Sequence, residues 1–356
     1  MRKLIVSVAA LACCLAGSAV AQESVDLDHV NPRYVTLPAK AATAYQIAHP
    51  SAPLPTWNGS FTYNGTTYSY NMVGTAPSTG KSTTVKTFII PTAISISGCS
   101  SDPTVDSEDG HTVQYLTTHS PIFVKIAFRA GGQAMGTTQY EDAFQRANFW
   151  KSAVKAHPGY HVLLGGPTIL PKLTLTPGGN GSCGNPFGPK VGLVDINYFD
   201  AQINNYITAH SQIVPDSLPI FLTDNTYLTE GECCIGGYHS STGPQAYSHA
   251  TFITTPGDFA QDVSALSHEA GEWLDDPLVV NPNGNPVPCG ILEVGDPEEG
   301  FANYGGFPYT VNGFKYNLQD LVFLEYFGAT TPPPSVDKWE TFHNNPFHLG
   351  ICNNGG

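Results

Sequence analysis

The sequence predicts an α+β protein, in which a β-rich N-terminal segment precedes a twisted mixed sheet backed by helices. Three observations predict it. Alternating aromatic and polar residues around Asn64-Gly65 read as a β-hairpin. Beyond residue 110, short apolar runs alternate with stretches of helical period. A polar strand-like run at 247–254 leads directly into a helical stretch carrying a histidine among carboxylates, which makes that helix a candidate metal binder.

The elements follow in order. Ser60-Phe61-Thr62-Tyr63, the Asn64-Gly65 turn and 66–70 form the hairpin, and 86–90 is expected to continue that sheet. The polar stretch 98–110 is the candidate domain boundary. Residues 123–128 read as a strand, and Thr138-Gln139-Tyr140-Glu141 as a capping box opening a helix that Pro158-Gly159 stops. Strand 161–164, a helix marked by Ile196, Phe199, Ile203 and Ile207, and strand 218–223 come next. Pro256-Gly257-Asp258 is expected to start the helix that carries His268. Leu318, Leu321, Val322 and 324–327 read as a core-packing helix or strand, and Pro332–Pro334 as a stiff linker.

Residues 1–21 have the form of a secretory signal: Arg2 and Lys3, an apolar run from Leu4 to Leu15, then Ala19-Val20-Ala21 before Gln22. That run is too short for a membrane span, and no later stretch is long enough. Lipoprotein anchoring at Cys13 is disfavoured because Ala10 is a poor residue three positions upstream. Signal removal takes two of the 15 basic residues and none of the 29 acids, so the formal charge deepens from −14 to −16. Such a surface argues against nucleic acid and anionic membrane as partners. The expected organisation is signal peptide 1–21, a β-rich segment 22–105 and a catalytic domain 106–356, secreted or periplasmic. Asn58, Asn64 and Asn180 each open a glycosylation-type triplet.

Six cysteines remain after the signal: Cys99, Cys183, Cys233, Cys234, Cys289 and Cys352. An even count in an exported chain suggests disulfides, with adjacent Cys233 and Cys234 expected to bond outward to two partners.

The chemistry concentrates in His268-Glu269-Ala270-Gly271-Glu272-Trp273-Leu274-Asp275-Asp276-Pro277, which holds four carboxylates and no Lys or Arg. On a helix, Glu272 lies about 40° from His268 and Asp275 about 20° away on the other side, so the three share a face. Phe259, Val263, Leu266, Ala270 and Leu274 gather opposite, which would turn the acidic face to a cleft or solvent. Like charges at this spacing repel, and anions near a helix C-terminus oppose the macrodipole. A bound cation relieves both. An ordinary solvated acidic face is the bland alternative.

Two ligands at i and i+4 can grip one ion, as two histidines do in zinc proteases. Here Glu272 holds the second position, and carboxylates also ligate Zn²⁺. Each added carboxylate weakens the ion as a Lewis acid. For the third ligand, Glu293 is preferred, with Asp296 and Asp275 as supporting partners. The turn at 281–286 would fold that segment back over the helix, and a disulfide at Cys289 could pin it. Ca²⁺ is a weaker alternative to Zn²⁺, because His268 is not an oxygen ligand. His239, in a Gly-rich stretch, reads as a surface residue, with a substitute ligand as the alternative. Tyr238 is a speculative oxyanion donor, His249 is structural, and Trp273 is a packing anchor.

Ser267-His268-Glu269-x-x-Glu272, with Pro277 following and Glu293-Val294-Gly295-Asp296 downstream, resembles secreted zincin-like proteins with a His-Glu-x-x-Glu signature. The layout is that of gluzincins. A looser similarity to plant Exordium (phosphate-induced) proteins lies in 221–223 and 230–239. The resemblance implies a zincin fold, Zn²⁺ on His268, Glu272 and Glu293, and Glu269 as general base of a metallopeptidase acting on polypeptides. Glu272 stands where active proteases carry histidine. That departure favours an alternative: a catalytically silent, zincin-derived extracellular or cell-wall-associated protein with a structural metal and a surface ligand.

Overall fold

A computed structural model describes residues 26–48, 51–280, 287–329, 335–336 and 340–344. The expected signal peptide, the 281–286 turn, the proline run 332–334 and Cys352 lie outside them.

In chain order, β1 (Asp26–Thr36) precedes the hairpin β2 (Thr56–Tyr63) and β3 (Thr66–Val73), then β4 (Ser82–Ile94). A second hairpin, β5 (Ile126–Ala130) and β6 (Gln133–Thr138), leads into α1 (Tyr140–Asn148). Strands β7 (His161–Leu164), β8 (Gly181–Gly184) and β9 (Val191–Asp195) lead to α2 (Ile196–Ala209). Next come β10 (Ser217–Asp224), β11 (Thr226–Glu230), β12 (Glu232–Thr242) and β13 (Gln245–Phe252). Helix α3 (Ser264–Asp275) and the hairpin β14 (Gly306–Val311) and β15 (Phe314–Gln319) follow.

The main sheet is mixed, in the order β4-β10-β13-β12-β11-β9-β8, with β7 joined to β4 and β1 to β12. The β4–β10, β10–β13, β9–β11 and β1–β12 pairs are parallel, whereas β13–β12 and β12–β11 are antiparallel. Side chains alternate across a strand, so Phe88 and Ile90 meet Phe199 and Ile203 of α2 on one face. Ile89, with Ile220, Leu222 and Ala250, meets Ala265 and Leu266 of α3 on the other. Burial on both faces explains the continuously apolar 218–222, each such side chain contributing about 1.5–3 kcal/mol. The architecture is α+β around a mixed sheet, as the sequence predicts. Among the described residues, no helix is long and apolar enough to cross a membrane.

Several local expectations are corrected. The hairpin forms on left-handed Asn64 and Gly65, but it is a separate two-stranded sheet. Residues 86–90 belong instead to β4, paired in parallel with β10, because their apolar side chains are buried between helices. Strands β1 and β4 thus lie in one sheet with strands that follow residue 105. The strand expected at 123–128 is β5, shifted to Ile126–Ala130. Thr138 is no helix cap: it ends β6 and donates to Asp142 Oδ2 at 2.6 Å. Helix α3 begins at Ser264, not near 258, since Ala260 and Asp262 are left-handed. The Asp262 carboxylate holds that turn by accepting from Asn317 N at 2.8 Å and Asn317 Nδ2 at 2.7 Å. Cys233 and Cys234 bond to each other rather than outward, while Cys99 pairs with Cys183. Both adjacent cysteines are fully buried in β12. Cys289 is also disulfide-bonded.

Candidate metal centre

Helix α3 lies wholly inside the protein, so its acidic side faces neither solvent nor an open cleft as the sequence suggested. Strands β13 and β12 of the sheet, β15, β3, helix α1 and the N-terminal strand β1 pack against it, and Gly295 of the returning segment 292–299 abuts His268. Glycines permit the close approach at two positions. A Cβ on Gly237 would stand 2.8 Å from Glu269 Oε1, and one on Gly295 would stand 2.2 Å from His268 Nδ1. Both distances are below any normal contact, so the two absent side chains make room for the two functional ones.

His268 is aimed by its partner. Its Nδ1 stands 2.5 Å from Gln319 Oε1, while Gln319 Nε2 donates to Gly295 O at 3.0 Å. That second bond orients the amide so that its oxygen must accept from Nδ1–H, leaving the lone pair on Nε2. Nε2 lies 2.9 Å from Glu272 Oε1 and 3.5 Å from Asp296 Oδ1, and no donor satisfies it. A metal ligand needs this arrangement: one nitrogen anchored by the protein, the other presented.

His239 enters from β12, where strand alternation turns residues 237 and 239 toward α3. Its Nδ1 stands 3.2 Å from Glu269 Oε2 and 3.5 Å from Glu272 Oε2, and the side chain is fully buried. The surface reading of His239 is thereby corrected. Its Gly-rich context marks close packing, not a loop. Tyr238 faces the opposite side and donates to Asp200 Oδ1 at 3.2 Å, so it cannot serve as an oxyanion donor here. His249 also lies on that side, 3.0 Å from Thr223 Oγ1, in the structural role expected. Trp273 is buried in the core.

Three sets of side chains bring ligand atoms within 4.8 Å of one another: His239, Glu272 and Glu293; His268, Asp296 and Glu299; and His268, Glu269 and Glu272. Glu272 is shared by the first and third sets and His268 by the second and third, and Gly295 N donates to Glu272 Oε1 at 3.2 Å. Of the residues singled out from sequence, His268, Glu269, Glu272, Glu293 and Asp296 all converge here. Glu293 clusters with His239, however, and not in one set with His268. Asp275 belongs to none of the three sets and instead accepts a hydrogen bond from Gln145 of α1. Its place near the helix end turns it to the α1 interface.

Electrostatics match the geometry. Burial pushes the His268 imidazole down to about 4 and lowers His239 too, so both are neutral ligands at physiological pH. Burial pushes Glu272 up to about 8 and Glu269 well above the carboxylate range, with Glu272 and Glu293 raising Glu269 further. These acids cannot all be anions without a cation. The residues present could hold a metal ion: neutral imidazoles, several carboxylates, and unsatisfied buried atoms at His239 Nε2, His268 Nε2, Glu269 Oε1 and Glu293 Oε2.

Strand β1 roofs the site. The Tyr34 ring lies on His268 with centroids 4.0 Å apart, Tyr34 N donates to Glu299 Oε1 at 2.5 Å, and the Thr36 hydroxyl bonds Glu293. The sequence reading missed Tyr34, Gln319 and Glu299. Only Glu299 carried a signal, as an acid beside Glu298 and close to Asp296. Comparison with protein-family models, curated proteins and solved structures finds no match to this chain.

Proposed function

We propose that the protein is an exported, zinc-dependent hydrolase of polypeptides, built on a zincin-like helix. The observation that carries this reading is Glu269. It lies beside His239 and one residue from His268, with one carboxylate oxygen unsatisfied in a buried site. His268 and Glu272, joined by Asp296, would hold the ion. A bound Zn²⁺ supplies carbonyl polarisation and a more acidic water. Glu269 takes the proton of the attacking water and returns it to the leaving amine. His239 Nδ1 lies 3.2 Å from that carboxylate. Two imidazoles at the site favour Zn²⁺ over Ca²⁺. Disulfides at Cys99–Cys183 and Cys233–Cys234 support an exported location.

One observation favours a second reading, a catalytically silent extracellular protein with a structural metal. His239, His268, Glu269 and Glu272 are all buried, and the Tyr34 ring covers His268. The deciding experiment compares Zn²⁺-loaded wild type with Glu269→Gln on a peptide library, each also combined with Tyr34→Ala to loosen the roof. Cleavage by wild type, reduced roughly 10²–10⁴-fold in Glu269→Gln at equal zinc content, supports the hydrolase. Equal cleavage by both excludes Glu269 as the base. No cleavage by any form, with a melting temperature lowered by chelator, supports the silent protein.

A further inference from the structure

We infer that this centre holds two divalent cations bridged by the Glu272 carboxylate, one on His239 and Glu293 and the other on His268, Asp296 and Glu299. The inference rests on the metal-binding half of the reading above and is independent of hydrolysis.

Glu272 is the first reason. Its Oε1 stands 2.9 Å from His268 Nε2, and its Oε2 stands 3.5 Å from His239 Nδ1. The two oxygens thus serve two different imidazoles, as a bridging carboxylate does between two ions. A carboxylate chelating one ion would bring both imidazoles to the same point. Instead the ligand-distance sets divide: His239 clusters with Glu293, and His268 with Asp296 and Glu299. Ligand atoms about 2.0–2.2 Å from one metal stand roughly 3.3–3.6 Å apart at tetrahedral angles. The 3.5 Å separations of His239 from Glu272 and of His268 from Asp296 match that spacing on each side.

Charge is the second reason. Glu269, Glu272, Glu293, Asp296 and Glu299 surround the His239 and His268 imidazoles. Among the described residues, Lys40 and Lys172 form their ion pairs elsewhere, with Asp200 and Asp102, while Arg33, paired with Glu232, also acts on Glu299 at the edge of the cluster. One divalent ion leaves most of that negative charge uncompensated. Two ions plus one proton on the acids neutralise it. The unsatisfied buried atoms are the third, independent sign, because they fall on both sides: His268 Nε2 on one, and Glu293 Oε2 on the other. The two positions differ in access. Asp296 has 48% of its side chain exposed, whereas His239 and Glu272 are sealed. The outer ion exchanges with solvent and the inner ion is retained.

The test is metal stoichiometry on the purified full chain. Elemental analysis after Zn²⁺ loading and dialysis is expected to give two equivalents, falling to one in Asp296→Asn/Glu299→Gln and to one in His239→Ala. Brief chelation of wild type should remove one equivalent before the other. Loading with Mn²⁺ is expected to give the exchange-coupled paramagnetic resonance spectrum of a bridged pair, and this measurement needs no variant that could misfold. A single equivalent in wild type, or only isolated six-line Mn²⁺ signals at full loading, overturns the inference. Two ions without peptide cleavage would remove the hydrolase reading and leave this one standing. One ion with cleavage would do the reverse.

Discussion

Glu272 faces His268 with one carboxylate oxygen, at 2.9 Å, and His239 with the other, at 3.5 Å. The first partner is four residues away on the same helix turn, and the second comes from a strand 33 positions earlier. The helix motif is therefore half of a site whose other half arrives through the sheet.

Gln319→Leu should weaken zinc binding about 10–100-fold while leaving every ligand in place. Its amide fixes the His268 tautomer, and leucine would leave Nδ1 without an acceptor. Competition titration against a chromophoric chelator reads the affinity. Unchanged affinity would mean that His268 is not a ligand through Nε2.

Gly295→Ala should abolish stoichiometric metal binding, because the added methyl would occupy the His268 ring position. The ring or the 292–299 segment must move, and either motion separates His268 from Asp296. Elemental analysis together with a melting curve checks it. Full metal content with an unshifted melting temperature would contradict the packing described.

The metal-free protein should lose stability as pH rises from about 5 to 8. Glu272 is raised from 4.5 to about 8, so across that window the folded protein keeps a proton that the unfolded chain has already lost. The bonus is complete below the unfolded value and vanishes through the folded one. Zinc-loaded protein should show the opposite trend, since the metal needs the deprotonated carboxylate. Thermal melts across this range, with chelator and with Zn²⁺, separate the two slopes. Parallel slopes would argue against metal on Glu272.

Tyr34→Ala should accelerate metal loss to chelator and lower stability by about 3–5 kcal/mol, the range for truncating a buried aromatic ring. The ring covers His268, with centroids 4.0 Å apart. Stopped-flow transfer of Zn²⁺ to a fluorescent chelator measures the first effect and denaturant unfolding the second. An unaltered release rate would show that ions leave past Asp296, without passing β1.

Much of the site was legible from local spacing. His268, Glu269 and Glu272 are read from helical period, and the return of Glu293-Val294-Gly295-Asp296 from a turn followed by acids. His239 was visible but misjudged, because Gly236-Gly237 looks like a loop when read alone. In the sheet, Gly237 is a space left for Glu269. Tyr34 and Gln319 carried no signal, since a tyrosine on a strand and a glutamine on a hairpin gain meaning only from what they touch.

By itself the sequence determined the α+β class, the acidic helix and its ligand spacing, because periodicity and turn chemistry act within a few residues. Tertiary structure alone decided that β4 and β1 join one sheet, that Cys233 bonds to Cys234, and that His239 completes the cluster. Those outcomes depend on which strands pair and in which register. Pairing between distant strands is selected by burial of the whole chain, a quantity that no local stretch encodes.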